Sequence, residues 1–190
     1  LLMPSDYQEV MDGGAMCLGL CFDSSGRMLI SANQTDRKPK PHEAVVSVWR
    51  SQPLKDGARP EMALWMRARY PQGIGGFNHG ISHLAAGPDG FIYLSSGSRT
   101  DGNEPGNLPD HYTGGEVFLT GSIWRLNPRD AVAFPSVWCR GLRNPYGFCF
   151  DPSGRLWATD NGPDADRPEE LNLIERHRHY GFPYQFAHTD

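Results

Sequence analysis

The chain has 190 residues, a formal net charge of −4 and 22 Gly plus 16 Pro. The acidic balance argues against a nucleic-acid surface, which needs clustered Lys and Arg, and no apolar run is long enough for a membrane-spanning helix. Abundant Gly and Pro punctuate short strands rather than long helices, so an all-β, loop-rich fold is expected.

In chain order, the first strong signal is Leu20-Cys21-Phe22-Asp23-Ser24-Ser25-Gly26-Arg27-Met28-Leu29-Ile30, two apolar runs around a tight turn. The same strand-turn-strand recurs at Leu84 to Leu94 around Gly87-Pro88-Asp89-Gly90, and at Phe148 to Trp157 around Asp151-Pro152-Ser153-Gly154. The turn glycines lie 64 residues apart (90 − 26 and 154 − 90). Three copies at one period predict a radial array. Further strands are expected at 45–50, 122–126 and 171–174, with outer strands at 62–66 and 136–139, about four per repeat and the content of a propeller blade. The expected fold is therefore all-β, a β-propeller with about three four-stranded blades of six, read as one partial domain over 1–190.

Two Gly- and Pro-rich stretches, Asn33 to Glu43 and Arg99 to Gly115, are predicted loops. A helical turn near Asp164 to Glu170 is a further expectation. Cys17, Cys21, Cys139 and Cys149 form no Cys-x-x-Cys pair and alternate largely with apolar residues, so buried free thiols are expected rather than a disulfide or a metal site.

Three constellations could carry chemistry. His79, in Phe77-Asn78-His79-Gly80, stands where a strand enters a hairpin and could accept a proton near neutral pH, although a structural or solvated histidine is the commoner case for such a residue. Arg143-Asn144 precedes the third hairpin; a guanidinium there could stabilise negative charge, or simply brace the turn through carbonyls. His79 and Arg143 are themselves 64 apart (143 − 79), so the repeat alone places them equivalently on neighbouring blades. The acidic loop Asp160 to Glu170 could give a hard cation several oxygens, although a solvated surface is the commoner role of such a loop. Asp101, Glu104, Asp110 and His111 form a looser polar cluster, read as a solvated lid. Ala187, Thr189 and Asp190 form a weaker candidate cation site.

Several linked stretches, Gly141-Leu142-Arg143-Asn144-Pro145-Tyr146-Gly147, Asp160-Asn161-Gly162-Pro163, Glu170-Leu171-Asn172-Leu173-Ile174 and Tyr180-Gly181-Phe182-Pro183, resemble the soluble quinoprotein glucose/sorbosone dehydrogenases. The likeness is dense from about Phe77 to Pro183 and thin before it. It implies a six-bladed propeller, of which this chain would be a fragment, using pyrroloquinoline quinone (PQQ) and Ca²⁺ to oxidise an aldose or related sugar. It further implies His79 as general base, Arg143 as its catalytic partner and Asn144 and Asn161 at the cofactor. The carbonyls of Gly162 and Pro163 would hold the catalytic Ca²⁺, and Glu170 with the Tyr180 carbonyl a structural ion. His83 is read as packing. Asn78 and Ser98 stand where the family carries carboxylates, and the acidic loop is one residue longer than the pattern. A sugar substrate, a cytochrome or quinone electron acceptor and a periplasmic or secreted location follow from the same resemblance. A non-catalytic propeller that binds a carbohydrate or protein, and a metal-dependent lactonase, remain the alternatives.

Overall fold

The computed structural model describes residues 15–55, 59–73, 79–163 and 168–185. They form eleven strands: β1 (Met16–Phe22), β2 (Arg27–Asp36), β3 (Glu43–Pro53), β4 (Met62–Pro71), β5 (Ile81–Ala86), β6 (Ile92–Ser96), β7 (Ser122–Leu126), β8 (Ser136–Arg140), β9 (Phe148–Phe150), β10 (Leu156–Asp160) and β11 (Glu170–Ile174). Consecutive strands pair antiparallel in three sheets, β1-β2-β3-β4, β5-β6-β7-β8 and β9-β10-β11. These are the expected blades, the third with three strands among the described residues. The helical turn expected near 164–170 lies mostly outside them, and 168–169 carry no helix.

The turns explain the repeat. At residues 23, 87 and 151 the backbone N–H donates to the carbonyl four residues on, at 3.0, 2.7 and 2.9 Å, and the glycine three residues on donates back at 3.0, 2.9 and 2.8 Å. The φ angles of Gly26, Gly90 and Gly154 are 75°, 79° and 78°, the left-handed region that a Cβ penalises. In the first and third copies the turn carboxylate closes the loop: Asp23 Oδ1 accepts from Ser25 and Arg27 N–H, and Asp151 Oδ1 from Ser153 and Arg155 N–H. In the second copy Gly87 replaces that Asp, and Asp89 binds Phe91 N–H, Tyr93 Oη and Arg125 instead. The closed backbone survives the exchange.

Alternation along the strands stacks the sheets. All five residues of β6 are buried. Ile92 and Leu94 pack with Leu29, Val46 and Val48 of the first sheet, while Tyr93 packs with Phe148 and Leu156 of the third. The middle sheet therefore buries both faces, as a blade between two neighbours must. Polar ties reinforce the first seam: Ser31 Oγ donates to Ser82 O (2.9 Å), and the Asn33 amide exchanges bonds with Ile81 N–H and O (2.8 and 2.6 Å). By contrast, the outward row Leu20, Ile30, Trp49 and Leu64 on the first sheet stays apolar yet partly exposed, and Leu171 on the third is 68% exposed. The two end blades thus present faces of the kind that the middle blade buries.

Two expectations need correction. The loop expected from Asn33 is shorter, because β2 runs on to Asp36 and pairs with β3 through Asp36↔Glu43; Arg69 bridges both carboxylates at 3.0 and 2.9 Å. None of the four cysteines forms a disulfide, as expected, but only Cys139 is buried. Cys149 shares a register row with Trp157 and Leu173 on the outward face of the third sheet, so alternation placed it on a face that no described blade covers.

Since a left-handed turn residue disfavours a Cβ by about 1–2 kcal/mol, Gly26→Ala, Gly90→Ala and Gly154→Ala should each lose about that much stability, and the Asn variants less. Urea midpoints at constant m-value read this directly. A loss confined to one turn would show that the three turns are not equivalent.

Candidate active site

His79 and Arg143 occupy equivalent places on neighbouring blades. The residue after each accepts the same bond: Gly97 N–H donates to Gly80 O (2.8 Å) and Asn161 N–H to Asn144 O (3.2 Å), pairs that are 64 apart in both members. The Met16↔Asn33 register pair repeats the relation in the first blade. A Cβ on Gly97 would lie 2.4 Å from His79 Cβ and 3.0 Å from Asn144 Oδ1, so the missing side chain is what lets histidine and amide approach each other.

The His79 ring is tied at Nδ1, 3.0 Å from the Ser98 carbonyl and 3.2 Å from Ser98 Oγ. A carbonyl only accepts, so Nδ1 carries the hydrogen and Nε2 keeps its lone pair. Burial holds the ring below the ordinary histidine range; the Ser98 bond opposes this, and the nearby Arg143 charge adds to it. The result is a neutral imidazole with its acceptor nitrogen oriented. Ser98, a departure from the carboxylate that the resembled family carries, thus fixes the tautomer through its backbone. Asn78 lies outside the described residues. His83 packs edge-on to Phe148, with ring centroids 4.7 Å apart, which agrees with its structural reading.

Arg143 is buried and braces as well as charges the site. Its Nε donates to Asp101 O (3.2 Å), its Nη1 to Asn161 O (3.3 Å), and its Nη2 pairs with the Asp101 carboxylate. Its backbone is held by Asp160, whose Oδ2 accepts Arg143 N–H (2.9 Å) and whose Oδ1 accepts Asn144 N–H (2.7 Å). Burial pushes the Asp160 carboxyl up to about 7; those two N–H groups oppose the shift and the Glu170 charge reinforces it.

The sequence placed Asp160 only in the acidic loop and Asp101 only in a loose polar cluster; their contacts with Arg143 were not foreseen. The segment carrying Asp101 is solvated over most of 102–109, as expected, but it is anchored at its base. Arg99 is fully buried beneath it, donating to the carbonyls of Pro71, Gln72, Gly114 and Gly115, and Glu116 clasps the N–H groups of Arg99 and Thr100. Glu104 caps Asp101 and Gly102 N–H at 2.8 and 2.6 Å. Asp110 and His111 belong elsewhere, in a pocket with His42 where Asp110 pairs with Lys40. Sequence spacing could not have sorted the four; only the buried arginine does so.

The cation candidates are partly assembled. Gly162 N–H donates to Glu169 Oε2 (2.6 Å), Pro163 is buried, and Glu170 pairs in register with Asp160. Glu169 and Glu170 offer oxygen donors, the kind a hard cation prefers, but among the described residues no cluster of three metal-ligating side chains forms. Tyr180 is fixed toward the other end of β11, its hydroxyl donating to Leu173 O (2.6 Å) and accepting Glu175 N–H (2.7 Å). No described contact joins Tyr180 to Glu170. The candidate site at 187–190 lies outside the described residues.

A pair as enclosed as Asp101 and Arg143 stabilises mainly by keeping the guanidinium from being buried alone. Asp101→Ala should cost about 3 kcal/mol, and Arg143→Ala in that background should cost much less than it does alone. A double-mutant cycle in urea measures this; additive losses would show that the two side chains are not coupled.

Comparison with known proteins agrees with this architecture. The family model described as Glucose / Sorbosone dehydrogenase matches residues 14–190. Quinoprotein glucose dehydrogenase B of Acinetobacter calcoaceticus is 30% identical over 133 residues, covering 60% of this chain and 27% of that protein. Two solved structures share the fold: the PQQ-bound aldose sugar dehydrogenase of Streptomyces coelicolor (TM-score 0.50, 19% identity, 96% of this chain and 66% of that one) and the holo pyranose dehydrogenase PQQ domain of Coprinopsis cinerea (TM-score 0.52, 12% identity, 92% and 55%). The chain spans less than a third of that curated relative. With the family model matched from residue 14 to the last residue, the chain belongs to the glucose/sorbosone dehydrogenase family.

Proposed function

We propose that the protein containing this chain is a PQQ- and Ca²⁺-dependent dehydrogenase that oxidises a hydroxyl of an aldose or related sugar. The observation that carries the reading is the oriented, neutral His79, whose Nδ1 is committed to Ser98 and whose Nε2 is left to accept a proton. Family membership and the PQQ-bound relatives support the same chemistry.

In this reading His79 Nε2 takes the proton of the sugar hydroxyl. Arg143, held against Asp101, keeps positive charge beside the oxygen from which that proton leaves, and Asn144, across Gly97 from His79, orients the cofactor edge together with Asn161. When bound, PQQ would supply the hydride acceptor, and a Ca²⁺ that the carbonyls of Gly162 and Pro163 would hold would supply Lewis acidity. Glu170 and the Tyr180 carbonyl would serve a second, structural ion. A cytochrome or quinone would reoxidise the cofactor, and a periplasmic or secreted location follows from the same family reading.

Reconstituted full-length protein should reduce an artificial dye with an aldose, and His79→Ala should lower kcat by roughly 10²- to 10⁴-fold with PQQ binding retained. The pH profile carries a sign. The base works deprotonated, and burial lowers its pKa, so activity should persist below the ordinary histidine midpoint of about 6.5 before it falls. An acid limb above that midpoint, or an unimpaired alanine variant, would remove His79 from the reaction. Full-length protein that binds no PQQ would favour a non-catalytic binding propeller.

The cation assignment has its own test. Because an ion bound only by the folded state stabilises it by mass action, Glu170→Ala should lower Tm far more in Ca²⁺ than in chelator. Equal losses in both would make Glu170 a packing residue.

A further inference from the structure

A cationic cleft lies at the rim between the second and third sheets, lined by neither His79 nor Arg143. After β11 the chain runs back along β8: His177 N–H donates to Trp138 O (2.7 Å), Arg140 N–H to Arg178 O (3.1 Å), Tyr180 N–H to Arg140 O (2.9 Å) and Phe182 N–H to Gly141 O (2.9 Å). These bonds fix the walls of two adjoining cavities of about 220 and 370 Å³ that share Phe118, Arg140 and His179. The larger falls at the lower end of the size range of small-molecule sites. His177, which lines the smaller one, is held at φ 64°, a left-handed conformation that a non-glycine residue keeps only where its surroundings impose it.

The charge here runs against the chain as a whole. The net charge is −4, yet residues 175–179 read Glu-Arg-His-Arg-His, and Glu175 is taken up by Arg178 at 2.6 Å. Arg140 lies over the Phe118 ring (5.1 Å to the centroid) and Arg176 over Trp138 (5.3 Å). Among the described residues no carboxylate pairs with either. Glu116, the carboxylate lining the larger cavity, has its oxygens engaged by the N–H groups of Arg99 and Thr100 and by the Thr120 hydroxyl. A guanidinium stacked on a ring keeps its planar fork of donors oriented, which suits bidentate binding of an oxyanion. Phe118 and Tyr184, 62% and 82% exposed, offer ring faces beside those donors.

We propose that this cleft binds a small anion, a phosphate or carboxylate group joined to a flat ring, with the anion on Arg140 and the ring against Phe118 or Tyr184. The proposal does not rest on the sugar-oxidising reading, because neither His79 nor Arg143 lines the cleft.

Calorimetric titration of the full-length protein with phenyl phosphate, benzoate, inorganic phosphate and phenol tests it. Phenyl phosphate or benzoate should bind saturably at one site, and whichever binds more tightly names the anion; phenol and inorganic phosphate should each bind at least about tenfold more weakly. Arg140→Gln should weaken the ring-bearing anion by about tenfold or more, and Phe118→Ala should weaken it while leaving inorganic phosphate unchanged. Arg140→Lys, which keeps the charge and loses the planar fork, gives a second reading should Arg140→Gln fold poorly, and should also weaken binding. Dye reduction with sugar should be unchanged in the folded variants. The proposal is overturned if neither ring-bearing anion saturates, if phenol binds as tightly as phenyl phosphate, or if both arginine variants bind like the wild type.

Discussion

The carboxyl of Asp160 is the point on which the site depends. It sits at the end of β10, only 5% exposed, and takes the backbone N–H groups of Arg143 and Asn144. Without it those donors would be left unpaired beside the turn, at about 1–3 kcal/mol for each buried one. The cost appears in the group itself, whose pKa burial drives up to about 7. A strand end thus sets where the turn stops, and the turn sets where the Arg143 guanidinium and the Asn144 amide emerge. From there the Arg143 carbonyl receives Ser98 N–H (2.6 Å), and the Ser98 carbonyl holds His79. One chain of bonds links the acid of the third blade to the histidine of the second.

Much of this was legible in the sequence because the repeat is written in residues whose backbone needs are strict. Glycine at 26, 90 and 154 and the apolar runs around it specify a tight turn between strands, and the 64-residue period by itself then puts His79 and Arg143 in equivalent places. Asp101 was not legible. It lies in a segment without periodicity, and its role comes from Arg99, which organises that segment by burying a guanidinium among four carbonyls. An arginine in a Gly- and Pro-rich stretch reads as solvated, because nothing in the local sequence says that distant carbonyls converge on it. The thiols failed for a different reason: alternation says which face a cysteine shares, not whether another blade covers that face.

The second turn shows how far a local motif can change without moving the fold. Asp23 and Asp151 hold their turns by the same carboxylate bonds, whereas Gly87 has no side chain to offer. Asp89 instead reaches Tyr93 and Arg125, and Arg125 in turn stacks 3.4 Å from the Phe91 ring centroid. The side-chain contribution is rerouted while the two backbone bonds stay the same.

The same separation of scaffold from chemistry governs the site. Ala15, His79 and Arg143 hold one position in successive repeats, as the pairs Met16↔Asn33, Gly80 with Gly97 and Asn144 with Asn161 establish. Alanine there offers no titratable group, histidine a proton acceptor and arginine a fixed positive charge. A radial fold directs equivalent residues of neighbouring blades to the same end of the array. Adjacent copies can therefore supply complementary groups to one locus without any change of backbone. The period supplies the address and the side chain at that address supplies the reaction, so a single substitution in one copy can alter chemistry while the turns that build the blade remain intact.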